Sequence, residues 1–182
     1  QFVQFAPLAA EACPEWPRAY EKLGNAASAL RTYQRCLQFD TTNGENAFFL
    51  AHAYERAGKI DEAAAVYEAA HNRSRTNPDV TTGLARCRLR QGRTPEARVL
   101  AEEAFQHDPG NSDALLVLGL ACRNAGDLTH AKEYLERRAK LAQRDQDFDI
   151  ALAPLAEELG DVRDAVEHYR KIVAAGGGSD FV

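Results

Sequence analysis

The stretch ERAGKIDEAAAVYEAA, Glu55 to Ala70, reads as helix on both sides of Gly58. Apolar residues fall at helical spacing before the glycine, as Ala47, Leu50, Ala51 and Tyr54, and again after it, as Ala63, Val66, Tyr67 and Ala70. A glycine between two such segments closes the first helix, because it enters the left-handed backbone region without the clash a Cβ would meet. The expected local structure is helix, turn, helix, with Asp61 in or near the turn as a start for the second helix.

The same pattern returns on either side. Glycine recurs at Gly24, Gly58, Gly92, Gly126 and Gly160, each 34 residues after the last, and Ala29, Ala63, Ala97, Ala131 and Ala165 follow at a fixed offset. Such a period marks a solenoid, whose units bury a hydrophobic face only by stacking on their neighbours. Asp127 and Asp161 stand in the later turns as Asp61 does in the second.

On these residues the chain resembles the tetratricopeptide repeat (TPR) family, whose 34-residue unit is a helix-turn-helix with a Leu-Gly pair, a Tyr, an Ala, an aromatic and a closing Pro. Leu118-Gly119 keeps the pair, Leu50-Ala51, Leu84-Ala85 and Leu152-Ala153 are small-residue variants, Tyr20 and Tyr54 fill the Tyr slot, Tyr33, Tyr67 and Tyr169 the aromatic slot, and Pro109 closes a repeat. The resemblance implies an all-α, right-handed superhelical solenoid with repeats at 10–43, 44–77, 78–111, 112–145 and 146–179. Residues 1–9 read as the end of a preceding repeat, with Pro7 in the closing slot and Phe2, Val3 and Phe5 as its apolar face, and 180–182 as a tail or the start of a further repeat. Trp16-Pro17 replaces the Leu-Gly pair, and Pro14 and Pro17 are expected to shorten or kink the first helix. Arg88 stands in the Tyr slot of the third repeat, where it is expected to lie at the edge of the apolar face with its charge in water, and Arg138 in a normally small slot.

The chain has 182 residues, of which 45% are hydrophobic and 27% charged, and a net charge of −5. That is the composition of a globular protein, and the acidic balance argues against general binding to nucleic acid or an anionic surface. No apolar run approaches the roughly 18 residues of a membrane span. The sequence begins with Gln1 and contains no Met, which suggests a fragment or processed piece.

Catalytic and metal chemistry find no support in the residue pattern. Cys13, Cys36, Cys87 and Cys122 are far apart, without zinc spacing, and are expected to be buried free thiols, which fits a reducing compartment such as the cytoplasm and leaves a bacterial periplasm open. His52, His71, His107, His130 and His168 are scattered and expected to be exposed or to line the groove. Gly176-Gly177-Gly178 lacks the Lys-Ser/Thr of a phosphate loop, and Glu102-Glu103 and Glu157-Glu158 read as solvated helix faces. No cofactor is expected.

The resemblance further implies a concave groove lined by the first helix of each repeat. Carried onto this sequence, the groove holds Arg18 and Lys22; Phe48, His52, Glu55 and Arg56; Thr82, Arg86, Leu89 and Arg90; Leu116, Leu120, Arg123 and Asn124; and Ile150, Pro154, Glu157 and Glu158. Arg56, Arg86, Arg90 and Arg123 form a cationic stripe, and Phe48, Leu89, Leu116, Leu120 and Ile150 an apolar one, with His52 between them. The matching partner is a protein segment with acidic groups and apolar anchors. The TPR subtype that clamps chaperone carboxy-termini needs a Lys/Asn/Asn/Lys/Arg set, whereas the matching places hold Pro14, Arg18, Phe49, Asp79 and Gly83. The expected function is a non-catalytic protein-binding scaffold, as in bacterial secretion, pilus or exopolysaccharide-export assemblies. The rival readings are the substrate-recognition region of a larger enzyme and a self-assembling structural protein.

Overall fold

The structure, a computed structural model, describes residues 15–40, 43–141 and 146–174. Among the described residues there are ten α-helices and no strand: α1 (Glu15–Lys22), α2 (Ala26–Phe39), α3 (Gly44–Arg56), α4 (Ile60–Arg73), α5 (Pro78–Arg90), α6 (Thr94–His107), α7 (Ser112–Asn124), α8 (Leu128–Leu141), α9 (Gln146–Glu158) and α10 (Val162–Ala174). They alternate as first and second helices of the 34-residue unit. The severed-repeat reading of residues 1–9 and the tail at 180–182 lie outside the described residues.

The five glycines do what the periodicity requires. Gly24, Gly58, Gly92, Gly126 and Gly160 all have positive φ, between 70° and 79°. At the second of them the Gly58 N–H donates to the Glu55 carbonyl at 3.0 Å and the Lys59 N–H to the Tyr54 carbonyl at 2.9 Å, which satisfies two end carbonyls of α3 and reverses the chain. Gly126 and Asp127 repeat this on Arg123 and Cys122.

Helix starts follow a second period that the residue reading passed over. Asn43, Asn77 and Asn111, 34 residues apart, each precede a first helix and accept its leading N–H groups on the side-chain oxygen. The residue after each turn glycine is the cap of a second helix. Asn25, Asp127 and Asp161 accept there from the N–H of Ser28, His130 and Asp164. Lys59 and Arg93 occupy the same place and cannot accept. Asp61 therefore lies one position inside α4 rather than at its cap, and its carboxylate takes a bond from Gln91 Nε2 at 2.7 Å.

The chain divides into two compact units at Gly92–Arg93. In the first, Ala29, Tyr33 and Leu50 form a core against which Leu30, Leu37, Phe49 and Val66 pack, and Tyr67 is fully buried. A Cβ on Gly83 would stand 2.3 Å from the Tyr67 ring, so α5 reaches α4 only because Gly83 has no side chain. In the second, Cys122, Ala131, Leu135, Ala151 and Leu155 form the core, and Gly119 of the Leu-Gly pair lets α7 close on Leu135, which a Cβ would meet at 2.6 Å. Pro17 is buried in the first turn of α1, where a helix needs no N–H from it.

Four local expectations are corrected. Arg88 does not extend into water: it is buried, with Nη1 on Gln91 Oε1 and Nη2 on Glu68 Oε1, both at 3.0 Å, because α4 supplies a carboxylate within reach. Arg138 is buried also. Cys36 is disulfide-bonded, and among the described residues the buried free thiols are Cys87 and Cys122. His71 is buried on Thr81 Oγ1 at 3.0 Å, and His168 is largely covered and bonds Asp149 at 2.7 Å, so neither is an exposed or groove histidine. No helix among the described residues is long and apolar enough to cross a membrane.

Candidate partner-binding faces

In the first unit the face expected to bind is made by α1, α3 and α5. Phe48, half-buried, stacks on the exposed His52 ring at 6.0 Å, meets Phe49 edge-on at 5.6 Å and lies 6.2 Å from Tyr67. Leu89 is half-buried and Arg90 exposed. Phe48 and His52 thus form a flat aromatic surface held from behind by core rings, a form suited to an apolar anchor.

The arginines are not a bare cationic stripe. Arg86 donates from Nε and Nη2 to the two carboxylate oxygens of Glu55, at 2.8 and 2.6 Å, and Tyr67 donates its hydroxyl to the same carboxylate at 3.2 Å. Burial pushes the Glu55 carboxyl up, but the bonds and charge of Arg86 and the Tyr67 hydroxyl outweigh it and hold the group below its ordinary value. Burial, with the Glu55 charge, raises Tyr67 and pushes the Cys87 thiol up to about 12, so Cys87 stays protonated and inert. Arg56 pairs with Glu21 at 3.2 Å. Arg90 forms no ion pair among the described residues; its charge adds to the field that stabilises Glu55.

In the second unit the corresponding face belongs to α7 and α9. Leu116 and Leu120 are half-buried and belong partly to the core around Leu135 and Leu155, which limits the surface they offer. Ile150 is exposed. Arg123 approaches Glu158 at 3.8 Å. The pairs Glu21–Arg56 and Arg123–Glu158 occupy one repeat register with the charges exchanged, each joining neighbouring first helices. Glu158, expected on a solvated face, is one member of this ladder. A 35-residue separation of opposite charges marks Glu21 with Arg56 and Arg123 with Glu158, but Glu55 and Arg90 share it without pairing, so it points to the ladder without fixing its members.

Among the described residues no group of three or more His, Cys, Asp or Glu side chains could hold a metal ion. What the faces offer is shape, aromatic surface and charge.

A tetratricopeptide repeat family model matches residues 55–100 and again 88–155, together more than half of the sequence, and the chain belongs to that family. Among solved structures it is similar to TTC0263, a thermophilic TPR protein of Thermus thermophilus, at 19% identity over 93% of each chain with a TM-score of 0.75. It is similar also to pilF of Pseudomonas aeruginosa, at 23% identity over 96% of this chain and 79% of that one, TM-score 0.75. MamA from Desulfovibrio magneticus RS-1 matches at 17% identity over 94% and 97%, TM-score 0.72. At these identities the likeness establishes the fold alone. Among curated proteins none matches by sequence. The fold suggests a protein–protein interaction scaffold.

Proposed function

We propose that the chain is a non-catalytic scaffold whose first-helix faces hold a segment of another protein that carries acidic groups beside apolar anchors. The observation behind this reading is the face of the first unit, where the Phe48–His52 stack and Leu89 share the first-helix register with Arg90, a cation outside the ion-pair ladder. Arg90 can take a carboxylate while the aromatic surface takes an aliphatic or aromatic side chain. In the second unit Ile150, with the exposed edges of Leu116 and Leu120, supplies apolar contact, and Arg123 is shared with Glu158. Arg86 supports the face by holding Glu55 and contributes less to a partner than the residue pattern suggests.

A place in a bacterial secretion, pilus or exopolysaccharide-export assembly is part of the proposal and rests on the scaffold role alone. The test captures the native partner on the wild-type chain, identifies it by mass spectrometry, and repeats the capture with Phe48→Ala and Arg90→Glu. Retention by wild type and loss by both variants supports the reading. Equal retention on all three moves the site elsewhere.

A further inference from the structure

One register of the first helices holds Tyr54, Arg88, Cys122 and Ala156, and a register of the preceding second helices holds Gln34, Glu68, Glu102 and Glu136. The two earlier interfaces are filled along this line. Gln34 Nε2 donates to the Tyr54 hydroxyl at 2.7 Å, and the buried Arg88 guanidinium reaches Glu68 at 3.0 Å. Each filler is a long side chain whose polar end meets the residue on the preceding helix. Cys122 and Ala156 are too short to do this, and a cavity opens beside each: about 560 Å³ between α6 and α7, and about 320 Å³ between α8, α9 and α10.

The two cavities differ in their carboxylates. In the larger one Arg98 Nε already holds Glu102 at 2.9 Å. In the smaller one Glu136 forms no hydrogen bond or ion pair among the described residues, and Lys132 and Lys140, one turn to either side of it on α8, do not reach it. Leu152, Leu155 and Ala156 supply an apolar floor, and Leu159, 42% exposed, an apolar rim. Asp161 and Asp164 line the opposite wall, so carboxylates outnumber the two lysines, while His168 at the edge is bonded to Asp149. An apolar cavity of this size with a few charged groups at its mouth has the form of a site for one side chain.

We propose that the cavity between α8, α9 and α10 is a docking seat for an arginine side chain of a partner protein, whose methylenes lie on Leu152, Leu155 and Ala156 and whose guanidinium binds Glu136. Arg88 on Glu68 shows the same chemistry in the same register within the chain, and the excess of carboxylates selects a cation with a long apolar stem. All walls of the seat belong to described helices and the turn that joins two of them. The seat uses none of the residues assigned to the first-helix faces, so it stands or fails independently of the function proposed above.

The experiment titrates a short capped peptide, one arginine between two leucines, into the full chain and follows the backbone amide signals by NMR. Saturable shifts centred on Glu136, Ala156 and Leu159 are expected, with Kd below about 1 mM. Affinity should fall at least about tenfold when citrulline, of the same shape but uncharged, replaces the arginine, and likewise in Glu136→Lys and in Ala156→Arg, which plants the side chain of Arg88 in the seat. Glu133→Lys, at an exposed position of α8 outside the cavity, should leave affinity within about twofold. Circular dichroism confirms that the variants remain helical, and Glu136→Lys, at an exposed position, carries the test should Ala156→Arg not fold. No saturation up to about 1 mM with a folded chain, equal losses in Glu133→Lys and Glu136→Lys, or full affinity in a folded Ala156→Arg overturns the proposal. Free argininamide binding as tightly as the peptide would overturn it also, by assigning the cavity to a small molecule.

Discussion

Arg86 on α5 grips both carboxylate oxygens of Glu55 on α3, and Glu55 is buried where Arg86 is only partly so. The geometry makes Arg86 a structural residue first. Removing it strands a buried carboxylate, and breaking buried pairs typically costs about 3 kcal/mol or more, reduced here because Arg86 keeps some contact with water. Arg86→Met should therefore lower stability by about 2 kcal/mol, whereas Arg90→Ala, at an exposed position, should change it by no more than about 0.5 kcal/mol. Urea unfolding of the two variants measures the difference. Equal, small effects would mean that the pair is not formed in solution.

The same pair gives a pH dependence of known sign. The folded Glu55 carboxyl lies below its ordinary value of 4.5, so its stabilising effect is present above that value and is lost as pH falls through the folded value. Glu55→Gln should flatten this part of the stability profile, which lies below pH 4.5. An identical acid slope in wild type and variant would place the titration on other carboxylates.

Gly126 has φ of 79° and open space where a Cβ would point, so Gly126→Val tests backbone strain without a clash. A loss of about 1 kcal/mol or more is expected. Gly119→Val, inside α7 and without positive φ, instead collides with Leu135 and should cost about 1–3 kcal/mol of overpacking. Thermal unfolding of both variants orders the two effects.

Lys59 stands where Asn25, Asp127 and Asp161 cap their helices. Lys59→Asn should raise stability by about 1 kcal/mol by supplying the missing acceptor, against the loss of a loose contact of Lys59 with the Tyr54 ring at 6.0 Å. A neutral or negative change would show that water already satisfies the first turn of α4.

The repeat was legible in the sequence because its signals are local. A glycine between two apolar helical patterns, returned every 34 residues, defines the helix pairs without knowledge of their packing. The candidate face was legible only in part. Phe48, His52, Leu89 and Arg90 can be placed on first helices by register, but the partners of Arg56, Arg86 and Arg123 lie 31 or 35 residues away, and only folding decides whether Glu55 meets Arg86 or Arg90. Arg88 is hidden from a residue pattern for the same reason: its snorkelling length suggests water, while its buried guanidinium meets the exposed carboxylate of Glu68 on the neighbouring helix. The asparagine caps were visible as a period and were masked by the stronger glycine series.

The central claim, that the first-helix face of the first unit binds a partner segment through joint apolar and charged contact, meets its most direct test in the partner affinity of Arg90→Glu against Arg31→Glu. Both arginines are exposed in that unit, but Arg31 lies on second helix α2. With the captured partner titrated by calorimetry at fixed salt, Arg90→Glu should weaken binding by more than about 1 kcal/mol and Arg31→Glu by less than half of that, with both melting temperatures close to wild type. Equal losses from the two reversals, or a loss confined to Arg31→Glu, would contradict the claim.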